Sequence, residues 1–308
     1  MVSSVSMAVD LGGVGMKNPV NPASGTFGFG WQFEGFYDFS QLGAITTKGT
    51  SAVPWQGNPA PRLCEVTSGI MNSVGLANSG VRGLLATCGE YFRQLEEGGC
   101  RVILQVAGHT PQEFADAVEL VEELAPEASA IEVNISCPNI AAGGKLVGGT
   151  PEDAAEVMRV VRPLTRRPLL VKMAPVRVPE IARALEAEGA DALSLINTIN
   201  GMSLDVRTRR SRLSKPTGGV SGPAIHSIAV RMVWEAARAV SIPINGIGGI
   251  STWEDAAEMI LAGATAVTVG TANLVNPTAS LEVLRGLEAW AAEQGVSDIN
   301  ELVGAMEC

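Results

Sequence analysis

The sequence predicts an α/β fold, specifically a (β/α)8 TIM barrel in which residues 1–308 form a single domain. Short apolar runs rich in Val, Ile and Leu alternate with amphipathic segments, which is typical of parallel strands buried on both faces with helices between them. The alternation yields eight strands, and eight right-handed β/α units close into a barrel. A doubly wound open sheet is the alternative, but it usually has a Gly-rich turn after its first strand, and the sequence has none there.

The predicted strands are the eight apolar runs. They span residues 20–24, 44–48, 102–106, 130–135, 169–173, 192–196, 242–247 and 266–269. Glu132 interrupts the fourth run with a charge for which the sequence offers no partner. Gly- and Pro-rich segments at 52–62, 140–149 and 207–222 follow strand ends, and in a barrel such loops form the active-site face.

The predicted helices occupy the amphipathic segments between these runs. They span residues 80–97, 111–124, 154–164, 178–188, 224–240, 252–261 and 278–293. Thr110 precedes Pro111 and Thr150 precedes Pro151, which is the pattern of an N-cap followed by proline at the first helical position. Gly189 follows the fourth helix, as a C-terminal glycine commonly does.

The composition narrows the functional class. A formal net charge of −10 argues against nucleic acid or an anionic membrane surface as a partner, although local positive groups can still bind a small anion. Five cysteines at spacings unlike those of zinc or iron–sulfur ligands, with only two histidines, predict free thiols, a cytoplasmic location and no bound metal. The N-terminal residues are unlike a signal peptide, and no run of about 18 uncharged apolar residues predicts a membrane span.

Two glycine turns late in the chain predict a phosphate site. The segments 245–250, Asn-Gly-Ile-Gly-Gly-Ile, and 269–272, Val-Gly-Thr-Ala, follow the seventh and eighth strands. Barrels often bind phosphate at these strands through backbone N–H groups. A flavin, a sugar phosphate or a nucleotide could supply the phosphate, and the alternative is a pair of ordinary strand-to-helix turns.

The segment 134–139, Asn-Ile-Ser-Cys-Pro-Asn, leaves the fourth strand. Amides that follow a buried strand usually face a ligand, because they would otherwise lack hydrogen-bond partners. The thiolate of Cys137 can act as a base or a nucleophile. The alternative for Cys137 is a small buried hydrophobic side chain.

Lysines and short polar side chains recur at strand ends. Lys48 ends the second strand and Lys172 lies inside the fifth, where an ammonium group is costly unless it meets an anion or a polar ligand. A buried ion pair with a carboxylate is the alternative. Several such side chains together can bind a small polar ring with imide and carboxylate groups. The further candidates are Ser24, Asn72, Gln105, Asn197 and Thr198.

Together these segments resemble class 1 of the dihydroorotate dehydrogenase family over nearly the whole chain. The motifs are Asn-Ser-Val-Gly-Leu at 72–76, the Cys137 segment, Lys-Met-Ala-Pro at 172–175, Asn-Thr-Ile-Asn-Gly-Met at 197–202 and Gly-Gly-Val-Ser-Gly-Pro-Ala-Ile at 218–225, then the two glycine turns. Class 2 enzymes use a serine base and carry a membrane-binding extension, so Cys137 and the lack of such an extension favour class 1.

The resemblance implies one FMN per chain and oxidation of (S)-dihydroorotate to orotate in de novo pyrimidine (UMP) biosynthesis. Cys137 would take a proton from C5, hydride would leave C6 for flavin N5, and Lys172 would stabilise the negative charge of the reduced ring. The implied cofactor-binding residues are Ser24, Lys48, Gly49, Gln105, Asn134, Lys172, Ile196, Gly222, Gly248, Gly249, Gly270 and Thr271. The implied substrate-binding residues are Lys48, Asn72, Ser73, Val74, Gly75, Leu76, Asn134, Asn139, Asn197 and Thr198.

Gln105 and the segment 218–225 resemble subtype 1B. That subtype implies a partner subunit that carries FAD and a [2Fe–2S] cluster and passes electrons to NAD+. The implied assembly is a heterotetramer of two catalytic and two electron-transfer subunits around a homodimer core.

Three alternatives remain open. A subtype 1A enzyme would be a homodimer that reduces fumarate. A flavoprotein similar to dihydropyrimidine dehydrogenase would act on uracil or thymine, and Lys48 argues against it because the orotate carboxylate calls for a cation. A non-catalytic phosphate-binding barrel would need neither Cys137 nor Lys172.

Overall fold

The computed structural model describes residues 5–136 and 147–307, so Cys137 and Asn139 lie outside the described residues. The strands are β1 (Val9–Asp10), β2 (Gly15–Met16), β3 (Val20–Pro22), β4 (Ala44–Thr46), β5 (Leu63–Val66), β6 (Gly69–Asn72), β7 (Arg101–Val106), β8 (Ala130–Asn134), β9 (Leu169–Lys172), β10 (Ala192–Leu195), β11 (Ile199–Gly201), β12 (Leu204–Asp205), β13 (Arg210–Ser211), β14 (Gly218–Ser221), β15 (Ile244–Ile247) and β16 (Ala266–Val269). The helices are α1 (Gly80–Glu97), α2 (Pro111–Leu124), α3 (Pro151–Val161), α4 (Val178–Ala187), α5 (His226–Ala237), α6 (Trp253–Leu261), α7 (Ala272–Val275) and α8 (Ala279–Glu293).

The central sheet has eight strands in the order β3–β16–β15–β10–β9–β8–β7–β4, and every neighbouring pair runs parallel. Its two edges approach each other, since the Gly43 amide donates to the Val20 carbonyl at 3.1 Å. The sheet therefore nearly closes on itself, and the prediction of a (β/α)8 barrel is confirmed. Each predicted strand is present, with ends that differ by at most two residues from the predicted ones.

The flanking helices follow the sequence signals closely. The Thr110 hydroxyl accepts from the Glu113 amide at 3.3 Å, and the Thr150 hydroxyl accepts from the Asp153 amide at 3.2 Å. Each bond satisfies one of the unpaired N–H groups at a helix start, and proline at the next position needs no partner. These caps explain why α2 begins where the sequence predicts. Helix α3 begins earlier than predicted, at Pro151.

One connection departs from the predicted alternation. The segment between β3 and β4 contains only short 3₁₀ helices, Trp31–Phe33 and Phe39–Gln41, so the expectation of a helix after every strand is wrong there. Aromatic packing covers this side of the barrel instead. The Phe27 ring stacks on Phe33 at 4.5 Å between centroids and meets Phe39 edge-on at 5.0 Å.

A second sheet was not predicted. It is antiparallel, with strand order β11–β14–β6–β5, and only β14 falls in a segment, 207–222, that the sequence predicted to be a loop at the active-site face. Its strands are only partly buried. We call it the outer sheet, because it lies beside the carboxyl ends of the barrel strands and contributes to the cavity described below.

The main core lies between the outward faces of the barrel strands and the helices. The barrel interior is instead partly polar. The Thr268 hydroxyl lies 2.9 Å from Asn21 Oδ1 and 2.8 Å from Asn245 Oδ1, and the Asn245 amide donates to the Ser194 hydroxyl at 3.3 Å. We call these four residues, with Thr46 bonded to Asn21, the lower cluster. In the part of the chain that is described, no helix is both long and apolar enough to cross a bilayer.

Candidate active site

A cavity of about 390 Å³ opens at the carboxyl ends of the barrel strands, a size within the range of small-molecule and cofactor sites. The position is the one at which β/α barrels carry their active sites. Apart from Ser73, every predicted site residue that is described lines this cavity. These residues are Ser24, Lys48, Gly49, Asn72, Val74, Gly75, Leu76, Gln105, Asn134, Lys172, Ile196, Asn197, Thr198, Gly222, Gly248, Gly249, Gly270 and Thr271.

Ser73 does not line the cavity. Its side chain is fully buried, its amide donates to the Arg62 carbonyl at 2.8 Å, and its hydroxyl accepts from the Asn58 side-chain amide at 3.0 Å. The sequence placed it with the substrate-binding motif 72–76, but in the structure it anchors the loop before β5 to the end of β6. Cys137 and Asn139 fall outside the described residues, so their predicted roles stay predictions.

A directed series of hydrogen bonds runs along the barrel side of the cavity. Gln105 Nε2 donates to Glu132 Oε1 at 2.5 Å, and Asn134 Nδ2 donates to Gln105 Oε1 at 3.0 Å. The Ser136 hydroxyl then donates to Asn134 Oδ1 at 2.7 Å, and Asn197 Nδ2 donates to that hydroxyl at 2.7 Å. We call these five residues the amide chain. It gives Glu132 the partner that the sequence could not supply.

Charge in the cavity has one sign. Lys48 and Lys172 contribute to its wall, and the described lining residues include no Asp or Glu. Lys172 is 7% exposed on β9. A wall of ammonium groups and amides attracts anions and hydrogen-bond acceptors, since burial strengthens such interactions relative to water.

The glycine turn after β15 is constrained by packing behind it. Gly248 has φ +143° and Gly249 has φ +69°, and a Cβ atom at Gly249 would lie 2.7 Å from the Cβ of His226. The His226 ring nitrogen Nδ1 lies 2.8 Å from the Gly248 carbonyl oxygen. Because these glycines have no side chain, the backbone of this turn can approach a ligand closely, as phosphate sites require. The Thr271 hydroxyl donates to the Ser221 hydroxyl at 2.9 Å and joins the second turn to the outer sheet.

Several residues that line the cavity were not predicted from the sequence as site residues. Leu63 and Ile70 come from the outer sheet, Ala23 and Gly28 from the segment after β3, and Leu274 from α7. They had no chemical signal, because small and apolar residues are common in any fold. Only the three-dimensional pairing of the outer sheet brings the first two to the cavity.

The thiols of Cys88 and Cys100 are poor candidates for a catalytic base or nucleophile. Burial raises the pKa of the Cys88 thiol, and it raises the pKa of the Cys100 thiol to about 12. Both therefore stay neutral at physiological pH, and neither lines the cavity.

The fold and the cavity define a β/α barrel with an anion-attracting ligand site at the strand carboxyl ends. A family model for dihydroorotate dehydrogenase matches residues 6–290, and the chain belongs to that family. It is 49% identical over 303 residues to a protein of Desulforamulus reducens named dihydroorotate dehydrogenase B (NAD(+)), catalytic subunit, with 98% of each chain covered. Proteins of the same name from Trichlorobacter lovleyi and Geobacter sulfurreducens are 46% and 44% identical, covering 98% of this chain and 99% and 98% of their own.

Family membership makes the chain an oxidoreductase and implies a flavin cofactor. The cavity fits such a group. It combines lysines without lining carboxylates, an amide-rich barrel wall, and two glycine turns at the strands where barrels commonly hold phosphate. The expected class of protein and its enzymatic nature, as read from the sequence, are therefore confirmed.

Proposed function

We propose that this chain oxidises (S)-dihydroorotate to orotate with a bound FMN, as the catalytic subunit of an NAD+-linked enzyme. The observation that carries the proposal is the convergence of Lys48, Lys172 and the amide chain with the two glycine turns around one cavity. These elements are far apart in the sequence, and a dianionic phosphate at one end with a polar ring at the other matches their placement.

In this proposal the glycine turns hold the FMN phosphate. Gly248, Gly249, Gly270 and Thr271 would supply backbone N–H groups to it. The ribityl chain and ring would lie along a second set of lining residues. These are Ser24, Lys48, Gly49, Gln105, Asn134, Lys172, Ile196 and Gly222.

The substrate would occupy the space between the barrel and the outer sheet. Lys48 would pair with the carboxylate, and the side-chain amides would hydrogen-bond the imide of the ring. The remaining contacts would come from the 72–76 loop and from strand ends. The proposed substrate-binding residues are Lys48, Asn72, Val74, Gly75, Leu76, Asn134, Asn139, Asn197 and Thr198.

The chemistry divides between the chain and its cofactor. The thiolate of Cys137 would take the C5 proton, since a thiolate is a far stronger base than a serine hydroxyl. Bound flavin supplies the acceptor for the hydride that leaves C6. The Lys172 ammonium would stabilise the negative charge that develops in this region of low dielectric constant.

The partner and location follow from the same proposal. The relatives are named catalytic subunits of an NAD(+) enzyme, so a separate electron-transfer subunit with FAD and a [2Fe–2S] cluster would carry electrons to NAD+. Within the described residues no group of three or more His, Cys, Asp or Glu is placed to hold a metal, so a cluster would belong to that subunit. We propose a heterotetramer with a homodimer core, in the cytoplasm.

The test is an acceptor assay on the purified protein. The released flavin is identified by mass spectrometry, and anaerobic dihydroorotate is added while flavin absorbance is followed. We expect FMN, rapid bleaching, and turnover with NAD+ only when the electron-transfer subunit is present. A Cys137→Ser protein, tested alongside at neutral pH, should bind FMN and bleach far more slowly.

Other outcomes would refute the proposal in distinct ways. Steady turnover of the lone chain with fumarate would indicate subtype 1A. Oxidation of dihydrouracil in preference to dihydroorotate would indicate an enzyme similar to dihydropyrimidine dehydrogenase. A colourless protein that binds phosphate compounds without redox chemistry would indicate a ligand-binding barrel.

A further inference from the structure

Glu132 is a buried carboxylate without an assigned role. It lies in the middle of β8, is 1% exposed, and does not line the cavity. One oxygen accepts from Gln105, while the other, Oε2, has no hydrogen-bond partner. A carboxylate in the interior of a barrel is costly. Fold stability alone would be served better by an apolar residue at this position.

The position of Glu132 gives the amide chain a direction. Glu132 Oε1 accepts from Gln105 Nε2, so the Gln105 side chain turns its NH2 group toward Glu132. Its carbonyl then faces Asn134, whose NH2 group donates to it. The Asn134 carbonyl in turn accepts from Ser136, as the distances of the series require.

This direction determines what the cavity wall presents to a ligand. Each side-chain amide has two N–H groups, and the chain uses one N–H of Gln105 and one of Asn134. The Asn134 carbonyl accepts twice, from the Ser136 amide and from the Ser136 hydroxyl, and the Gln105 carbonyl accepts from Asn134. Besides one lone pair of the Gln105 carbonyl, the second N–H groups of both amides remain for a ligand, so this wall of the cavity offers mainly donors. A flipped amide has nearly the same shape but offers an acceptor instead.

We propose that Glu132 is a positioning residue that holds Gln105 and Asn134 with their N–H groups toward the bound flavin and substrate. The proposal rests on the proposed function of the cavity. Glu132 touches neither ligand and acts through Gln105. Its role is to favour, before the ligand binds, the orientation in which the N–H groups of Gln105 and Asn134 face the cavity. We call this orientation the donor-outward arrangement.

The test is the nearly isosteric variant Glu132→Gln. A glutamine at this position can donate as well as accept, so the series loses its fixed direction. If the donor-outward arrangement falls to about one tenth of the population, affinity for FMN falls about tenfold. We expect that loss in FMN release from the purified holoprotein, followed by flavin fluorescence, together with a shifted flavin absorption spectrum.

The matched control is Thr268→Val, which disturbs the lower cluster without touching the amide chain. We expect it to lower the melting temperature while FMN release and the flavin spectrum stay as in the wild type. A Glu132→Gln protein that folds and matches the wild type in both flavin measurements would overturn the proposal. So would a Thr268→Val protein with the same flavin defects, because the effect would then be general to buried polar groups.

A second measurement does not depend on a variant that folds. Neutron diffraction from the deuterated wild-type protein distinguishes nitrogen from oxygen and locates amide deuterons. We expect the Gln105 nitrogen to face Glu132, and oxygen at that position would overturn the proposal. If the wild type fails to oxidise dihydroorotate while these flavin effects appear, the proposed function fails and the positioning role stands.

Discussion

The cavity has two walls of different construction. The barrel wall comes from parallel strands whose residues are almost fully buried, and it carries Lys172 and the amide chain. The outer sheet is antiparallel and half-buried, and it contributes Leu63, Ile70 and Asn72. Charge and directed hydrogen bonds are therefore concentrated where the surroundings are most rigid, and apolar contacts where they are least so.

This difference has an energetic basis. A buried parallel sheet, packed on both faces, holds side chains in single orientations, and interactions there are strengthened by the low dielectric constant. A small sheet with one solvated face opens locally at lower free energy. The barrel wall is thus suited to holding a cofactor, and the outer sheet to admitting and releasing a substrate. Variants in the two walls should change different kinetic constants.

The largest effect is expected at Lys172 in the barrel wall. Lys172→Ala removes a buried ammonium group from the cavity, and loss of one preorganised electrostatic group typically slows a reaction about 10²- to 10³-fold. We expect flavin reduction by dihydroorotate, measured anaerobically in a stopped-flow instrument, to slow by about that factor. The exposed Lys215→Ala is the control. Wild-type flavin content and reduction rate in Lys172→Ala would remove this lysine from the mechanism.

A smaller effect is expected at the glycine turn of the same wall. Gly249→Ala introduces a Cβ atom 2.7 Å from His226 Cβ, at a φ of +69°, and an L-residue there costs on the order of 1–2 kcal/mol. We expect FMN release from the holoprotein to rise about tenfold, with an unchanged KM for dihydroorotate in the flavin-loaded fraction. Gly35→Ala is the matched control, because nothing lies within 4 Å of its added Cβ. Equal FMN release from the two variants would mean that the turn does not hold the cofactor.

The two walls also differ in how far the sequence could predict them. Lys172, Asn134 and Gln105 lie on apolar runs long enough to identify as strands, and parallel strands that end at one edge bring their last residues together. The partner of Glu132 was not predictable in the same way. Gln105 is 27 residues away, and only the register of β7 against β8 makes the two neighbours.

The outer sheet was not predictable from local pattern. Its strands have only three or four residues of mixed burial, too few for alternation to identify them as strands. Its pairing is also non-local, since Asn72 of β6 is in register with Gly219 of β14. The motif around Asn72 therefore pointed to a ligand contact before its place in a sheet could be inferred. Ser73, in the same motif, directly follows β6 and is fully buried outside the cavity lining.

The smallest effect is expected in the outer sheet, and it differs in kind. The Asn72 side-chain amide donates to the Gly219 carbonyl at 3.3 Å and also lines the cavity, so Asn72→Ala removes one polar contact from the half-buried wall. Loss of a neutral hydrogen bond is worth on the order of 1 kcal/mol, and we expect the KM for dihydroorotate to rise about fivefold. FMN content and the reduction rate at saturating substrate should match the wild type, because this contact would be equal in the ground and transition states.

Asn300→Ala, at an exposed position outside the cavity, is the control. A loss of FMN or a slower saturated rate in Asn72→Ala would mean that the two walls do not divide cofactor and substrate between them.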